Sequence, residues 1–314
     1  MDINTLIAIF VFATGLCIGS FLNVVALRGL SGESIVFPPS KCPKCGKKLN
    51  WYTNIPVISY IFLLGKCQFC KKPISLQYPI VEAANAILYL IMFLSFGLSL
   101  KTLFLCAISS IFILICITDF KEQVVLDVHT YILIALGLLY NILHLGSITI
   151  LESILGLIAG YLIFELFAHL GTLFIKTRAF GEGDTLIAVG LGALLGLKML
   201  ILCAFLSLIL QAFFAIPMLF VKYVKKKNFS GASAIFIAVA GIVSLKLINP
   251  DSTYYFACLL AICAILLLCL FEILRNLKNK TSESLSYMPF GPAMVVSALL
   301  VIFFSKQIIG IFIG

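Results

Sequence analysis

Two aspartates at the ends of long apolar runs are the residues of this sequence best suited to catalysis. Asp184 ends a Gly-Glu-Gly-Asp step that begins at Gly181, and Asp119 ends the apolar run of residues 102–118. A carboxylate at a membrane boundary is costly and is by default a functional candidate. Gly181 and Gly183 lack a Cβ and would permit the sharp turn that aims Asp184 inward. If the two carboxyl groups meet, one activates a water and the other polarises a peptide carbonyl, as in an intramembrane aspartic protease.

These acids also have a structural explanation. Asp184 precedes Thr185 at a position where a helix N-cap is expected, and Asp119, Glu122 and Asp127 could together form a solvated turn. Capping the next span is the expected role of Asp127, which would thereby support the catalytic loop. Two juxtamembrane acids on one side of the membrane favour the catalytic interpretation for Asp119 and Asp184.

Four cysteines predict a metal site. Cys42 and Cys45 form one C-x2-C pair, Cys67 and Cys70 form a second, and 21 residues separate the pairs. Four thiolates on two tight turns match tetrahedral zinc, and Gly46 suits the first turn. No histidine that could activate water accompanies them, so we expect structural zinc; the alternatives are unmetallated thiols or a redox pair.

The composition predicts an all-α polytopic membrane protein. Hydrophobic residues make up 62% of the chain and charged residues 11%, and the mean hydropathy is +1.17. A soluble core of this length could not bury that much apolar surface. We expect about ten spans, within a range of about 8–10 transmembrane helices, of roughly 20 residues each. The predicted spans are 4–27, 80–99, 102–118, 130–148, 150–175, 185–197, 199–221, 232–248, 254–273 and 291–312.

The charges predict an orientation in the membrane. With the N-terminus outside, 18 of the 22 Lys and Arg residues lie on the inner side, together with Asp119 and Asp184. The net charge of +9 is therefore no argument for nucleic acid, and the lysines of 222–227 are expected to face anionic lipid. The predicted division is a first helix (1–28), a cytoplasmic zinc-ribbon insert (29–79), a catalytic bundle (80–223), an extra hydrophobic hairpin with basic loops (224–288) and a C-terminal helix (289–314).

Three other ionisable residues lie within spans. Glu165 and His169 are one helical turn apart, and a mutually satisfied polar pair is the favoured interpretation over a proton relay or a substrate contact. Glu82, early in the second span, fits either a structural or a functional role.

Taken in order, the motifs resemble the type IV prepilin peptidases, the bacterial leader peptidases of pilus, type II secretion and competence systems. The resemblance covers about residues 15–223 and 288–305. The matching segments are Gly19–Val25 with Arg28, Pro38–Ser40, the two cysteine pairs, Asn54–Ser59, Tyr78–Pro79 with Glu82, Asp119–Asp127, Phe180–Asp184 and Pro289–Pro292.

The resemblance implies an activity and a location. It implies removal of a short basic leader from pilin-like precursors, after a glycine, at the cytoplasmic face of the bacterial inner membrane. It also implies methylation of the new N-terminus by S-adenosylmethionine, for which no cofactor motif is visible in the residues. Two features depart from the family: Leu186 stands where a lysine is frequent, and the hydrophobic hairpin at 232–273 is extra.

Two other classes of protein compete with this interpretation. A proton-coupled transporter would distribute its acids across the membrane depth, whereas only Glu165 lies near a midplane. A non-enzymatic scaffold would bind a partner through the zinc ribbon and would tolerate loss of Asp184. A presenilin-like protease would not need the cysteines.

Overall fold

The structure, a computed structural model, describes residues 2–175, 181–225, 233 and 289–313. The helices are α1 (Ile3–Ser31), α2 (Ile58–Phe62), α3 (Gln77–Phe96), α4 (Leu100–Glu122), α5 (Asp127–Ile142), α6 (Ile150–Ile175), α7 (Glu182–Lys225) and α8 (Gly291–Ile313), with a 3-10 turn at Trp51–Asn54. The β-structure of these described residues is limited to two isolated bridges. The all-α prediction is confirmed.

The described helices identify a multi-pass membrane protein. Five segments are long and apolar enough to cross a bilayer, and two helices are shorter; the five are Ile3–Ser31, Gln77–Phe96, Leu100–Glu122, Ile150–Leu170 and Glu182–Ala215, and the two are Asp127–Ile142 and Gly291–Ser305. The predicted spans 185–197 and 199–221 both fall on α7. The predicted spans 232–248 and 254–273 lie outside the described residues.

α7 is broken at Gly196, whose φ of 73° and ψ of 173° are not helical. The break leaves carbonyl groups of the preceding turn without helical partners. Asn141 of α5 donates its Nδ2 to the oxygens of Ala193 (2.9 Å) and Leu194 (3.2 Å), and Ser153 of α6 also donates to Ala193. Two neighbouring helices therefore stabilise the break, which makes the first segment of α7 short.

α5 ends six residues before the predicted span 130–148 does. Its last turn closes with His144 in the left-handed region, at a φ of 52°. The N–H of His144 donates to Asn141 O (3.1 Å) and that of Leu145 to Tyr140 O (3.1 Å), which is the Schellman pattern. The span prediction was too long because hydropathy continues past this backbone turn.

Small residues bring two pairs of helices into backbone contact. Gly15 and Gly19 of α1 lie against α3, where a Cβ on Gly19 would be 2.7 Å from the Cα of Glu82. Gly160 of α6 lies against α7, where a Cβ would be 2.8 Å from the carbonyl carbon of Ala188. Each pair contains a G-x-x-x-G step, the spacing that lets membrane helices approach closely.

Two compact units divide the chain. Residues 1–167, 180–205 and 289–314 form the first, and residues 168–179 and 206–288 form the second. All contacts of the candidate site lie within the first unit. Residues 32–76, between α1 and α3, are called here the cysteine insert.

Candidate active site

Asp119 lies near the C-terminal end of α4 and is 5% exposed, whereas Glu122 and Asp127 are exposed. The N–H of Gly291, at the start of α8, donates to Asp119 Oδ2 at 2.8 Å. A Cβ on Gly291 would stand 2.6 Å from the same oxygen, so only glycine leaves room for the carboxylate. The structure thus separates one buried acid from its solvated neighbours.

Asp184 is the third residue of α7 and is half-buried. The N–H of Thr185 donates to Gly181 O at 3.3 Å, so the N-cap residue of α7 is Gly181 and not Asp184. Asp184 Oδ2 accepts from the N–H of Gly181 at 3.2 Å. In a capping box, the side chain of the third helical residue accepts from the N–H of the N-cap residue, and Asp184 makes this bond to Gly181. The alternative that Asp184 is itself the N-cap is wrong.

The two segments that carry the aspartates pack closely against each other. A Cβ on Gly183 would be 2.7 Å from the Cβ of Val125, in the loop that follows α4. The backbone of the Gly-Glu-Gly-Asp step therefore contacts the Asp119–Asp127 segment directly.

The other two support residues take different roles from those expected. A Cβ on Gly181 would lie 3.6 Å from Asp184 Oδ2, an ordinary van der Waals distance, so close packing does not require glycine there. The contribution of Gly181 is its backbone N–H, which donates to that oxygen. The N-cap of α5 is Leu126, without a side-chain capping bond, and Asp127 lies in the first turn. The prediction that Asp127 caps α5 was wrong by one residue, although its charge still lies at the favourable end of the helix dipole.

Sequence reasoning did not assign a role to Gly291 or Val125. Gly291 lies 172 positions from Asp119, and its segment Pro289–Pro292 was recognisable as a motif without a partner. Phe290 of that segment packs against Phe164 of α6, with ring centroids 6.4 Å apart. The packing of α8 against α4 shows that the backbone of this motif donates a hydrogen bond to Asp119.

Glu82 connects the cysteine insert to α3. It is 6% exposed, and its Oε2 accepts from the N–H of Val57 at 2.7 Å. Val57 has a φ of 58°, which is unusual for a β-branched residue. Glu82 therefore has a structural contact that holds a strained turn. Glu165 is half-buried and His169 is exposed, and their predicted pairing stays a prediction.

The four cysteines form one cluster, with all sulfur atoms within 4.8 Å of one another. The Sγ atoms of Cys42 and Cys70 are 4.0 Å apart. Tetrahedral zinc with bonds of about 2.3 Å places its sulfurs roughly 3.8 Å apart. Backbone N–H groups of Cys70 and Phe69 lower the pKa of the Cys67 thiol to about 6, which favours the thiolate that zinc needs. The pKa of the Cys45 thiol is raised to about 11, because the lowering effect of the Lys47 N–H is outweighed by burial and by the neighbouring Cys42 and Cys70 thiols. The residues fit a tetrahedral metal ion.

The two cysteine turns share one backbone pattern, 25 positions apart. Cys42 N–H donates to Lys47 O and Cys67 N–H to Lys72 O, at 3.0 and 2.9 Å. Gly46 takes the left-handed conformation in the first turn, as expected, and Lys71 takes it in the second. A repeat of two cysteine knuckles is therefore built from local hydrogen bonds, independently of the helices.

Comparisons with known proteins give consistent matches. Residues 13–96 match the bacterial peptidase A24 N-terminal domain, and residues 106–216 match the type IV leader peptidase family. Relatives named prepilin leader peptidase/N-methyltransferase include one from Neisseria gonorrhoeae, 31% identical over 71% of this chain and 85% of its own length. A relative from Pseudomonas aeruginosa is 31% identical over 74% of this chain and 87% of its own length.

A relative of the same name from Myxococcus xanthus is 33% identical over 60% of this chain. The match spans 56% of that relative's own length. No solved structure matches this chain.

Proposed function

We propose a function for this chain from one premise: it belongs to the type IV leader peptidase family. It is a multi-pass membrane peptidase that removes the leader peptide of type IV prepilin-like precursors. Family membership does not favour the transporter or scaffold alternatives. The observation that carries the catalytic assignment is the contact between the two acid-bearing segments, in which Gly183 packs against Val125 and the N–H of Gly291 donates to the buried Asp119.

Asp119 and Asp184 form the catalytic pair in this proposal. Each has its Oδ2 held by one backbone N–H, from Gly291 and Gly181 respectively. We therefore assign the Oδ1 atoms to the attacking water and the shared proton. Two carboxyl groups this close cannot both ionise cheaply, so the pair holds one proton in the resting state. Gly183 and Asp127 support the loop that brings the pair together.

Hydrolysis follows from that protonation state. The ionised carboxylate takes a proton from water as the water oxygen bonds to the scissile carbonyl carbon, and the other carboxyl group donates its proton to the carbonyl oxygen. The tetrahedral intermediate then collapses and the C–N bond breaks, while the leaving nitrogen takes the proton that came from water. The carboxylate that gave its proton to the carbonyl oxygen takes one back from a hydroxyl group of the intermediate, which restores the resting pair. Neither a nucleotide nor a metal ion at the pair is needed for this sequence.

The position of the pair fits a substrate cut at a membrane boundary. Asp119 lies three residues before the end of α4, and Asp184 lies in the first turn of α7. A precursor whose apolar N-terminal helix lies in the bilayer would present its leader junction at this depth. With the predicted charge bias, this end faces the cytoplasm, and the membrane is the bacterial inner membrane.

The proposal also assigns a structural role to the cysteine insert and a second activity, methyl transfer, to the chain. Cys42, Cys45, Cys67 and Cys70 hold structural zinc, which would fix the two knuckles and supply no chemistry to the cleavage. The relatives' name supports N-methylation of the new N-terminus with S-adenosylmethionine. No contact within residues 2–175, 181–225 and 289–313 identifies a group that would hold that methyl donor. We retain the predicted division at 1–28, 29–79, 80–223, 224–288 and 289–314 as part of the proposal.

The test is the intact mass of a co-expressed prepilin after processing by the parent enzyme and its variants. Asp119→Asn and Asp184→Asn are each expected to lower the cleavage rate by about 10²–10⁴-fold, because each removes one proton-transfer group. Glu122→Gln, an exposed acid three residues from Asp119, is the matched control and should cleave at the parent rate. Processing by Asp184→Asn at the parent rate would contradict the assignment. An added methyl mass on the product would establish the second activity.

A further inference from the structure

The geometry of the cysteine insert holds part of it at the membrane boundary. α3 has 20 residues, about the 30 Å thickness of the hydrocarbon core. Glu82 is the sixth residue of α3, roughly 7–8 Å from its first residue at 1.5 Å per residue. Because Val57 is hydrogen-bonded to Glu82, the short helix α2 that starts at Ile58 lies level with the first turns of a spanning helix.

The surface that follows Val57 is apolar. Phe62 and Leu64 are each 83% exposed, and Ile58 and Ile61 are exposed beside them. This much apolar surface is unusual on a polar domain unless it meets a partner or a membrane. This apolar surface lies level with the first turns of α3, so the membrane is the favoured contact rather than a soluble partner.

A second apolar projection is held in place by Arg28, in the last turn of α1. Its guanidinium donates to the carbonyl oxygens of Ser34 (2.8 Å) and Pro38 (2.6 Å). The loop between them exposes Val36 and Phe37. The exposed apolar groups are thus on a fixed backbone that begins at the end of a spanning helix.

The charge of the insert indicates which lipid it would meet. Residues 32–76 contain seven lysines and a single acidic residue, Glu33. A cavity of about 260 Å³ combines both properties, because apolar residues and two lysines line it beside one cysteine of the cluster; its lining residues are Phe62, Leu63, Leu64, Lys66, Cys67 and Lys71. Lysines beside an apolar wall suit a phosphate headgroup attached to acyl chains.

We propose that the cysteine insert is an interfacial lipid-binding element. In this arrangement residues 58–64 enter the headgroup region, and Lys66 and Lys71 bind the phosphate of an anionic phospholipid. The alternative occupant is the leader of the precursor. The position of α2 level with the first turns of α3 favours the lipid over that leader. The proposal rests on the membrane location of the chain and is independent of the peptidase activity.

Trp51 provides a specific reporter, because it is the only tryptophan of the chain. It lies within the insert, is 81% exposed, and belongs to the 3-10 turn that packs on α2. The full-length protein would be placed in lipid discs of phosphatidylcholine alone or with about a third phosphatidylglycerol. Emission of Trp51 and its quenching by lipids with brominated acyl chains would then be measured.

The expected result is emission at shorter wavelength and stronger quenching in the anionic discs. The double variant Lys66→Gln/Lys71→Gln should reduce the quenching to near the neutral-disc level, since each lysine at an anionic surface contributes about a fivefold factor. The matched control is Lys101→Gln/Lys198→Gln, which removes the same charge. Lys101 is the second residue of α4, at the end opposite Asp119. The control should quench like the parent.

Three outcomes would overturn the proposal. Trp51 could give the same emission and quenching in both kinds of disc. The Lys66/Lys71 variant could quench like the parent. A synthetic basic leader peptide in neutral discs could shift Trp51 when phosphatidylglycerol does not, which would assign the surface to the substrate. Asp184→Asn is expected to give the parent fluorescence, so failure of the catalytic assignment and failure of this proposal are separately visible.

Discussion

The helical bundle and the cysteine insert are held together in different ways. In the bundle, glycines and alanines let backbones touch, as where Gly160 meets Ala188, and buried polar side chains bridge the helices. Asn85 of α3, for example, donates to Gly15 O at 2.8 Å and accepts from Ser110 at 3.1 Å. In the insert, apolar side chains are exposed and the two knuckles depend on four sulfurs and local hydrogen bonds.

This difference indicates which interactions fix the positions of the functional side chains in each region. The distance between Asp119 and Asp184 depends on how closely α4, α7 and α8 approach, so any added volume between them changes the site. In the proposed zinc-bound state, the shape of the insert depends on the metal ion and on turns such as the one at Gly46. We therefore expect the catalytic site to be sensitive to single methyl groups and insensitive to events within the knuckles.

Among substitutions that add volume to the bundle, the largest effect on cleavage should come from Gly291→Ala. The new Cβ would stand 2.6 Å from Asp119 Oδ2, so either the carboxylate or the start of α8 must move. A misplacement of about 1 Å at a reacting group can cost roughly 10²-fold in rate. The measurement is kcat for cleavage of a purified prepilin, together with thermal unfolding to verify that the variant is folded.

Val296→Ala is the matched control for Gly291→Ala. Val296 lies on the same helix, one and a half turns further along, and its side chain is exposed. It should leave kcat at the parent value. Parent activity in Gly291→Ala would mean that the contact with Asp119 is not required, and that the bundle tolerates a methyl group beside its acid.

The sequence was sufficient for features that depend on neighbouring residues. The C-x2-C pairs and the turn at Gly46 follow from local spacing, and hydropathy locates the long apolar helices; the described residues contain these features, with five helices long enough to span. The end of α5 was misjudged because its turn at His144 is set by backbone geometry that leaves hydropathy unchanged. The break at Gly196 could be anticipated from glycine content, but its stabilisation by Asn141 could not.

The candidate site was predictable only in part, for a similar reason. Asp119 and Asp184 were identifiable because acids stand out at the ends of apolar runs. Their proximity depends on Gly183 meeting Val125, a contact between helices that no local pattern contains. The two G-x-x-x-G steps, Gly15–Gly19 and Gly156–Gly160, indicate close helix packing but do not identify the helices that meet at the site.

A smaller effect on cleavage, but a large one on stability, is expected for Gly160→Leu. A side chain at this position meets the backbone of α7 at Ala188, so α6 and α7 must separate. Overpacking of this kind typically costs about 1–3 kcal/mol. Thermal unfolding in detergent would measure it, with Ile158→Leu as the control because Ile158 is an exposed residue of the same helix. Equal stability of the two variants would contradict close packing at Gly160.

The smallest effect on the bundle should follow loss of zinc from the insert. Cys42→Ser is expected to lower the zinc content from about one ion per chain, since four thiolates take a single tetrahedral ion. Limited proteolysis should then cut within residues 32–76, because the knuckles lose the ion that joins them. Thermal unfolding of the bundle should stay close to the parent, whereas a Cys17→Ser control should retain zinc and resist proteolysis, since Cys17 lies on α1 outside the cluster. If Cys42→Ser destabilises the bundle as much as Gly160→Leu does, the two regions are coupled, and the contact between Glu82 and Val57 is the place through which that coupling would act.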